Sequence, residues 1–160
     1  MDLLIVGAGG YGQLVRELAI LSGYEKIDFL DDNNDKAIGK VSDYYKYVDY
    51  KNIIVAIGNP DIRESILKNI EEKFNLVTLI HPKAVISDSA VIEKGCVIEA
   101  NAVISSNTMV CKASFVNAGA VVNHNAIVRE FCQIDCNAVV GAGKEVLAKT
   151  KVESCIFYKN

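Results

Sequence analysis

The chain has 160 residues, just over half of them apolar, enough to bury one core or two small ones, and no apolar run is long enough to span a bilayer. A net charge of −3 disfavours sequence-independent nucleic-acid binding, which needs a basic face to neutralise phosphates. Five cysteines without a CxxC pair and only two histidines, His81 and His124, argue against a zinc site; they read as reduced thiols of a cytoplasmic protein, and no basic segment precedes the first apolar run as a signal peptide requires.

Leu3 to Val6 is a short buried-strand run. Tyr11 to Leu21 has helical periodicity, with Leu14, Val15, Leu18 and Ala19 apolar. Ile27 to Leu30 reads as a second strand and Asn52 to Ile57 as a third, ending at Gly58-Asn59-Pro60. Pro60 opens a helix to about Lys73 with Ile62, Ile66, Leu67 and Ile70 on one face, and Asn75 to Ile80 is a last strand. Strands separated by helices predict an α/β domain over 1–79, a Rossmann-like half with a parallel sheet covered on its faces.

From Ile80 onward the period is six. Ile or Val occupies thirteen consecutive positions at that spacing, from Ile80 through Ile86, Ile104, Val122 and Val140 to Val152. A second track of small residues runs from Ala84 through Cys96, Ala102, Thr108, Ser114, Ala120 and Cys132 to Ala138. Period six matches neither the 3.6 of a helix nor plain alternation; it fits a triangular coil of three short strands, eighteen residues per turn, in which each aliphatic stacks on its counterpart one coil away. The spacing predicts an all-β left-handed parallel β-helix over 80–160, with Ile86, Ile104, Val122 and Val140 in one inward ladder, about four coils, and loss of the pattern at Tyr158-Lys159-Asn160. So short a prism exposes its sides, so a homo-oligomer is expected.

Gly7-Ala8-Gly9-Gly10-Tyr11-Gly12 follows the first strand, opens the first helix and satisfies G-x-G-x-x-G; Asp31 and Asp32 follow about twenty residues later. Three readings stand: a nucleotide or nucleotide-sugar site using one half-fold, an NAD site, or a tight strand–helix turn without ligand. The sheet has room for about four strands, half of a dinucleotide fold, which favours the first. Asn59 either hydrogen-bonds a ligand or caps the following helix. His124 follows inward Val122 by two, so it projects outward near a corner; that placement alone also fits an ordinary surface histidine.

A GAGGxG loop, the segment Phe29 to Asp32 (FLDD), the segment Ala56 to Asn59 (AIGN), the junction Ile80-His81-Pro82 and then hexapeptides resemble, over nearly the whole chain, the sialic-acid O-acetyltransferase and nucleotide-aminosugar N-acetyltransferase family, the NeuD/PglD-like proteins. The resemblance implies an acetyl-CoA-dependent sugar acetyltransferase without a metal. It also implies a homotrimer through the β-helix, with acetyl-CoA between adjacent prisms. His124, in Val121-Val122-Asn123-His124, matches the family's base, with Asn125 beside it and Asn117 near the reacting groups. Gly9, Gly10, Tyr11, Asp31, Asp32 and Asn59 match the sugar-nucleotide site, and Gln133, Ala142 and Gly143 the acetyl-CoA path. The family usually has a carboxylate where this chain has Asn125 and often a second histidine where it has Gln133. The expected function is acetyl transfer to a sugar amine or hydroxyl with His124 as general base. The rivals are a non-catalytic sugar-nucleotide-binding scaffold and an NAD-dependent enzyme; neither nucleic acid nor membrane is an expected partner.

Overall fold

The computed structural model describes residues 1–159, and the chain divides into two compact units, Met1–Val77 and a second beginning at Thr78. The first unit holds four parallel strands, β1 (Asp2–Val6), β2 (Lys26–Leu30), β3 (Asn52–Val55) and β4 (Asn75–Leu76), in the order β2-β1-β3-β4. Helix α1 (Gly10–Leu21) joins β1 to β2, and α2 (Pro60–Ile70) joins β3 to β4. The two crossovers run in opposite directions from the centre of the sheet, so right-handed connections place the helices on opposite faces. With both faces covered, Leu3, Leu4, Ile5 and Val6 are fully buried, which is why β1 reads as an unbroken apolar run.

The structure departs from the sequence reading at four places. The inner face of α2 is Arg63, Leu67 and Ile70, whereas Ile62 is exposed and Ile66 half-buried. The cause is Arg63: its Nη1 donates to the carbonyls of Ile57 at 2.6 Å and Gly58 at 3.0 Å, satisfying the end of β3 with a buried guanidinium. The run Asn75 to Ile80 is not one strand. Leu76 pairs with Ile53 in this sheet, while Leu79 and Ile80 pair with Val97 and Ile98 in the second unit. A 3-10 helix, Val41–Tyr47, fills a stretch that showed no apolar period. Leu14, one of the apolar residues of the α1 period, is exposed; the buried face is Gly12, Val15, Leu18 and Ala19.

The second unit is a parallel β-helix of the left-handed, hexapeptide-repeat kind: two-residue strands from Leu79–Ile80 to Phe157–Tyr158 form three parallel sheets of four, five and five strands. Ile86 pairs with Ile104, Ile104 with Val122 and Val122 with Val140, so the inward ladder has the expected eighteen-residue register. It goes one coil further than the aliphatic pattern, because Val140 pairs with Tyr158, whose ring packs on the end of the core.

The corners explain how the coils stay in register. From Gly95 to Cys155 every sixth residue has a positive φ, between 55° and 80°. The N–H of that residue donates to the coil below, as Asn125 does to the Ser106 carbonyl and Gly143 to the His124 carbonyl, both at 2.9 Å. Most of these positions are Gly or Asn, the residues that adopt this region at least cost. The small residue after each corner turns inward, and where it is polar it donates to the carbonyl fifteen residues ahead. Thr108 bonds Asn123, Ser114 bonds Arg129, and the Cys96 and Cys132 thiols bond Cys111 and Leu147. Three of the five cysteines are buried; burial pushes the Cys96 thiol up to about 12, so it is a packing residue and not a nucleophile.

Ile104 is 1% exposed in the middle of the ladder. Ile104→Ala is expected to destabilise the chain by about 2–5 kcal/mol, read from urea or thermal unfolding, because neighbouring coils cannot collapse into the gap.

Candidate functional site

The glycine-rich loop lies at the carboxyl edge of the sheet between β1 and β3, the switch point where open α/β sheets bind ligands. Its glycines are not equivalent. Gly7 has φ +104° and a Cβ there would sit 2.9 Å from the Ala56 carbonyl oxygen; at Gly12 it would sit 2.0 Å from the Gly7 carbonyl oxygen. A Cβ on Gly9 or Gly10 meets nothing within 4 Å, so the loop leaves open space at the helix N-terminus, whose first N–H groups have no intrahelical acceptor.

The acidic residues hold this edge together. Asp31 accepts from the N–H of Ala8 at 2.8 Å through one oxygen and from Asn33 at 2.8 Å through the other. The Ala8 carbonyl accepts from Gln13 and Asn34, so its peptide is clamped on both sides. Asp32 accepts from the Val41 N–H at 3.0 Å and ties in the 3-10 helix. Asp31 and Asp32 also line a cavity of about 330 Å³ with Gly7, Asn33, Val41, Ile57, Ile62 and Ile66. Gly9, Gly10, Tyr11 and Asn59 are not among its walls. Asn59 caps α2, its side-chain oxygen accepting from Asp61 and Ile62 at 3.0 and 3.1 Å. Ile62 and Ile66, placed on one helical face with Leu67 and Ile70 from their spacing, line this cavity instead of joining those two in the core.

In the second unit His124 and Asn125 form one corner of a coil, exposed, after the strand Val121–Val122. Asn125 sits at the positive-φ position, φ 58°. Its Nδ2 lies 3.0 Å from His124 Nδ1, and its Oδ1 accepts from Asn107 Nδ2 at 3.3 Å, from the same corner one coil below. One coil above, the corner is Ala142 and Gly143, both exposed, and a Cβ on Gly143 would meet nothing within 4 Å. The structure thus brings His124, Asn125, Ala142 and Gly143 together, with a bare backbone step over the imidazole. Asn107 was not singled out by sequence; its place eighteen residues before Asn125 was the available signal.

Asn117 and Gln133 lie elsewhere on the prism. Asn117 begins the preceding corner, separated from His124 by the strand Val121–Val122. It is 5% exposed, its Nδ2 donates to Asp135 Oδ1 at 3.1 Å, and its own Oδ1 is buried without a hydrogen-bond partner. Gln133 points outward from its strand, half-buried between Phe115 and Lys151. His81 braces a turn, its Nδ1 accepting from the Lys83 N–H at 3.0 Å. Among the described residues no three His, Cys, Asp or Glu side chains gather as a metal-binding group, and no helix is long and apolar enough to cross a membrane.

Residues 2–70 match the PglD N-terminal domain family. The acetyltransferase domain of PglB from Neisseria gonorrhoeae is similar to this chain at 31% identity and a TM-score of 0.78, over 98% of this chain and 87% of that one. The same domain in complex with acetyl coenzyme A gives 32% identity and 0.76 over 98% and 86% of the two chains. WeeI from Acinetobacter baumannii shares the fold at 18% identity and a TM-score of 0.72, over 99% of this chain and 94% of that one.

Burial raises the Asp135 carboxyl, but the Cys136 N–H, the Asn117 amide and the Lys151 ammonium outweigh it and hold it below its ordinary value. A depressed folded-state value contributes stability that is present above the unfolded value and lost as pH falls through the folded one. Below about pH 4, the wild-type chain is therefore expected to lose more stability on acidification than Asp135→Asn. Equal acid sensitivity in urea melts would contradict the column of bonds from Asn117 to Lys151.

Proposed function

Since this chain belongs to the NeuD/PglD-like family of hexapeptide-repeat acyltransferases, we propose that it moves an acetyl group from acetyl-CoA to an amino or hydroxyl group of a nucleotide-linked sugar. The observation that carries this reading is the corner itself: an exposed imidazole, with a second side chain fixed against one ring nitrogen, beneath a step of bare backbone at Ala142 and Gly143. That step fits the passage of a slender pantetheine arm close to the main chain. The first unit binds the sugar nucleotide, supported by the open helix N-terminus and by the cavity beside Asp31 and Asp32.

In the reaction the acceptor nitrogen or oxygen attacks the thioester carbonyl and forms the new C–N or C–O bond. His124 takes the acceptor proton, the C–S bond breaks, and CoA leaves as a thiolate that is then protonated. Backbone N–H groups of the coil stabilise the oxyanion. The chain works as a homotrimer through the β-helix. One side of the prism supports this, presenting the outward apolar column Val85, Val103, Val121, Val139 and Phe157, with Val85 61% and Phe157 58% exposed. Asn117 and Gln133, which stand away from His124 within one chain, act across the interface of neighbouring copies. The unpaired thiols suit a cytoplasmic location.

One observation favours a second reading, a sugar-nucleotide-binding protein without catalysis: Asn125 offers His124 a neutral amide and no charge to stabilise imidazolium. Calorimetric binding of nucleotide sugars without binding of acetyl-CoA would favour it.

His124→Ala is expected to lower CoA release with acetyl-CoA and a nucleotide-amino-sugar acceptor by about 10²-fold or more, with unfolding unchanged. Full transfer by the variant on an acceptor the wild type uses would remove His124 from the reaction.

A further inference from the structure

The corner that carries His124 is a stack of polar side chains, uncharged except for the exposed Asp88, two coils below between Ser87 and Ser89. The corners below hold Ser87 and Ser89, then Ser106 and Asn107. Ser87 bonds Ser89 and Ser106, and the Asn107 N–H donates to Ser89 Oγ at 3.0 Å. Asn107 and Asn125 both have positive φ, 55° and 58°, and stack eighteen residues apart, so their amides meet edge to edge.

The bonds through this pair have a direction. Asn107 Nδ2 donates to Asn125 Oδ1, which turns Asn125 Nδ2 toward His124 Nδ1. An amide nitrogen only donates, so Nδ1 must accept, and a neutral ring then carries its proton on Nε2. In that state the only basic lone pair faces Asn125, and the nitrogen pointing away from the corner is a donor. Reversing the chain turns both amides over: His124 Nδ1–H donates to Asn125 Oδ1, Asn125 Nδ2 donates to Asn107 Oδ1, and Nε2 is left bare to take a proton. The two senses use the same three side chains and the same number of bonds, and only one of them makes a base.

We propose that Asn107 is a positioning residue for acetyl transfer: through the amide of Asn125 it sets which nitrogen of His124 carries the proton, and the reactive ring requires the chain of bonds to run from His124 toward Asn107. This rests on His124 being the base. Asn107→Asp isolates the effect. A carboxylate only accepts, so it holds Asn125 Nδ2 and turns Asn125 Oδ1 toward the imidazole, and aspartate tolerates the positive φ of this corner.

The test uses the full chain labelled with ¹⁵N-histidine, at a pH about two units above the ordinary histidine value. Comparison with His124→Gln separates the signals of His124 from those of His81. In the wild type, Nδ1 of His124 is expected to resonate as the bare nitrogen and Nε2 as the protonated one; in Asn107→Asp the two are expected to exchange. Asn107→Ala, which takes away the donor without adding charge, is expected to fall between them. A wild-type tautomer retained in Asn107→Asp overturns the proposal, and this result does not depend on any substrate. With an acceptor that the wild type uses, Asn107→Asp is expected to raise kcat roughly fivefold, the weight of one exposed hydrogen bond, with KM unchanged. Exchanged nitrogens with unchanged kcat would overturn the link to catalysis. No transfer by either protein would count against the acetyltransferase reading and leave the nitrogen signals to decide the relay.

Discussion

The second unit depends on a left-handed backbone residue at every sixth position. That residue lets the chain turn a corner in four residues, and its N–H reaches the coil below. Because the turn recurs without slippage, each hexad position becomes a column, and residues eighteen apart in sequence become neighbours in space. The inward column is aliphatic and gives the helix its core. The outward columns are free to carry chemistry, since their side chains need not fill volume. His124, Asn125, Asn107 and Gly143 are such a set. None is held by a long loop; each is placed by the same corner repeated in successive coils, which fixes their relative positions.

The first unit uses a different device. Its sheet is centred on β1, and the loops after β1, β2 and β3 converge at one edge. Gly7 and Gly12 let backbone approach backbone, while Asp31 clamps Ala8 and Asp32 ties down the 3-10 helix. The carboxylates therefore shape the edge as well as lining its cavity. Arg63 completes it from the other side, spending its charge on the carbonyls at the end of β3. That buried guanidinium is tolerated because it donates to carbonyls that need donors.

Much of this was legible in the sequence, for reasons specific to each element. The thirteen Ile and Val positions gave the period, and the period gave the ladder register. The positive-φ register was equally visible in the recurrence of Gly and Asn from Gly95 to Gly143, although Ala113, Phe131 and Lys149 also occupy it. Tyr158 hid the last strand because it puts an aromatic ring where the pattern leads one to look for Ile or Val. Ile62 and Ile66 misled because helical spacing marks an apolar face without saying whether core or cavity lies against it. The 3-10 helix carries three tyrosines and no period, so nothing announced it. At the site, the sequence pointed to His124 and its neighbours, but the direction of the amides that decides its tautomer exists only in three dimensions.

We propose that the acyl donor meets His124 at the corner left bare by Ala142 and Gly143. A crystal structure of the chain with acetyl-CoA bound tests it most directly. The account predicts pantetheine running over the Ala142–Gly143 backbone and the thioester carbonyl beside the His124 ring. Acetyl-CoA bound along a different corner of the prism, with its thioester out of reach of that imidazole, would contradict it.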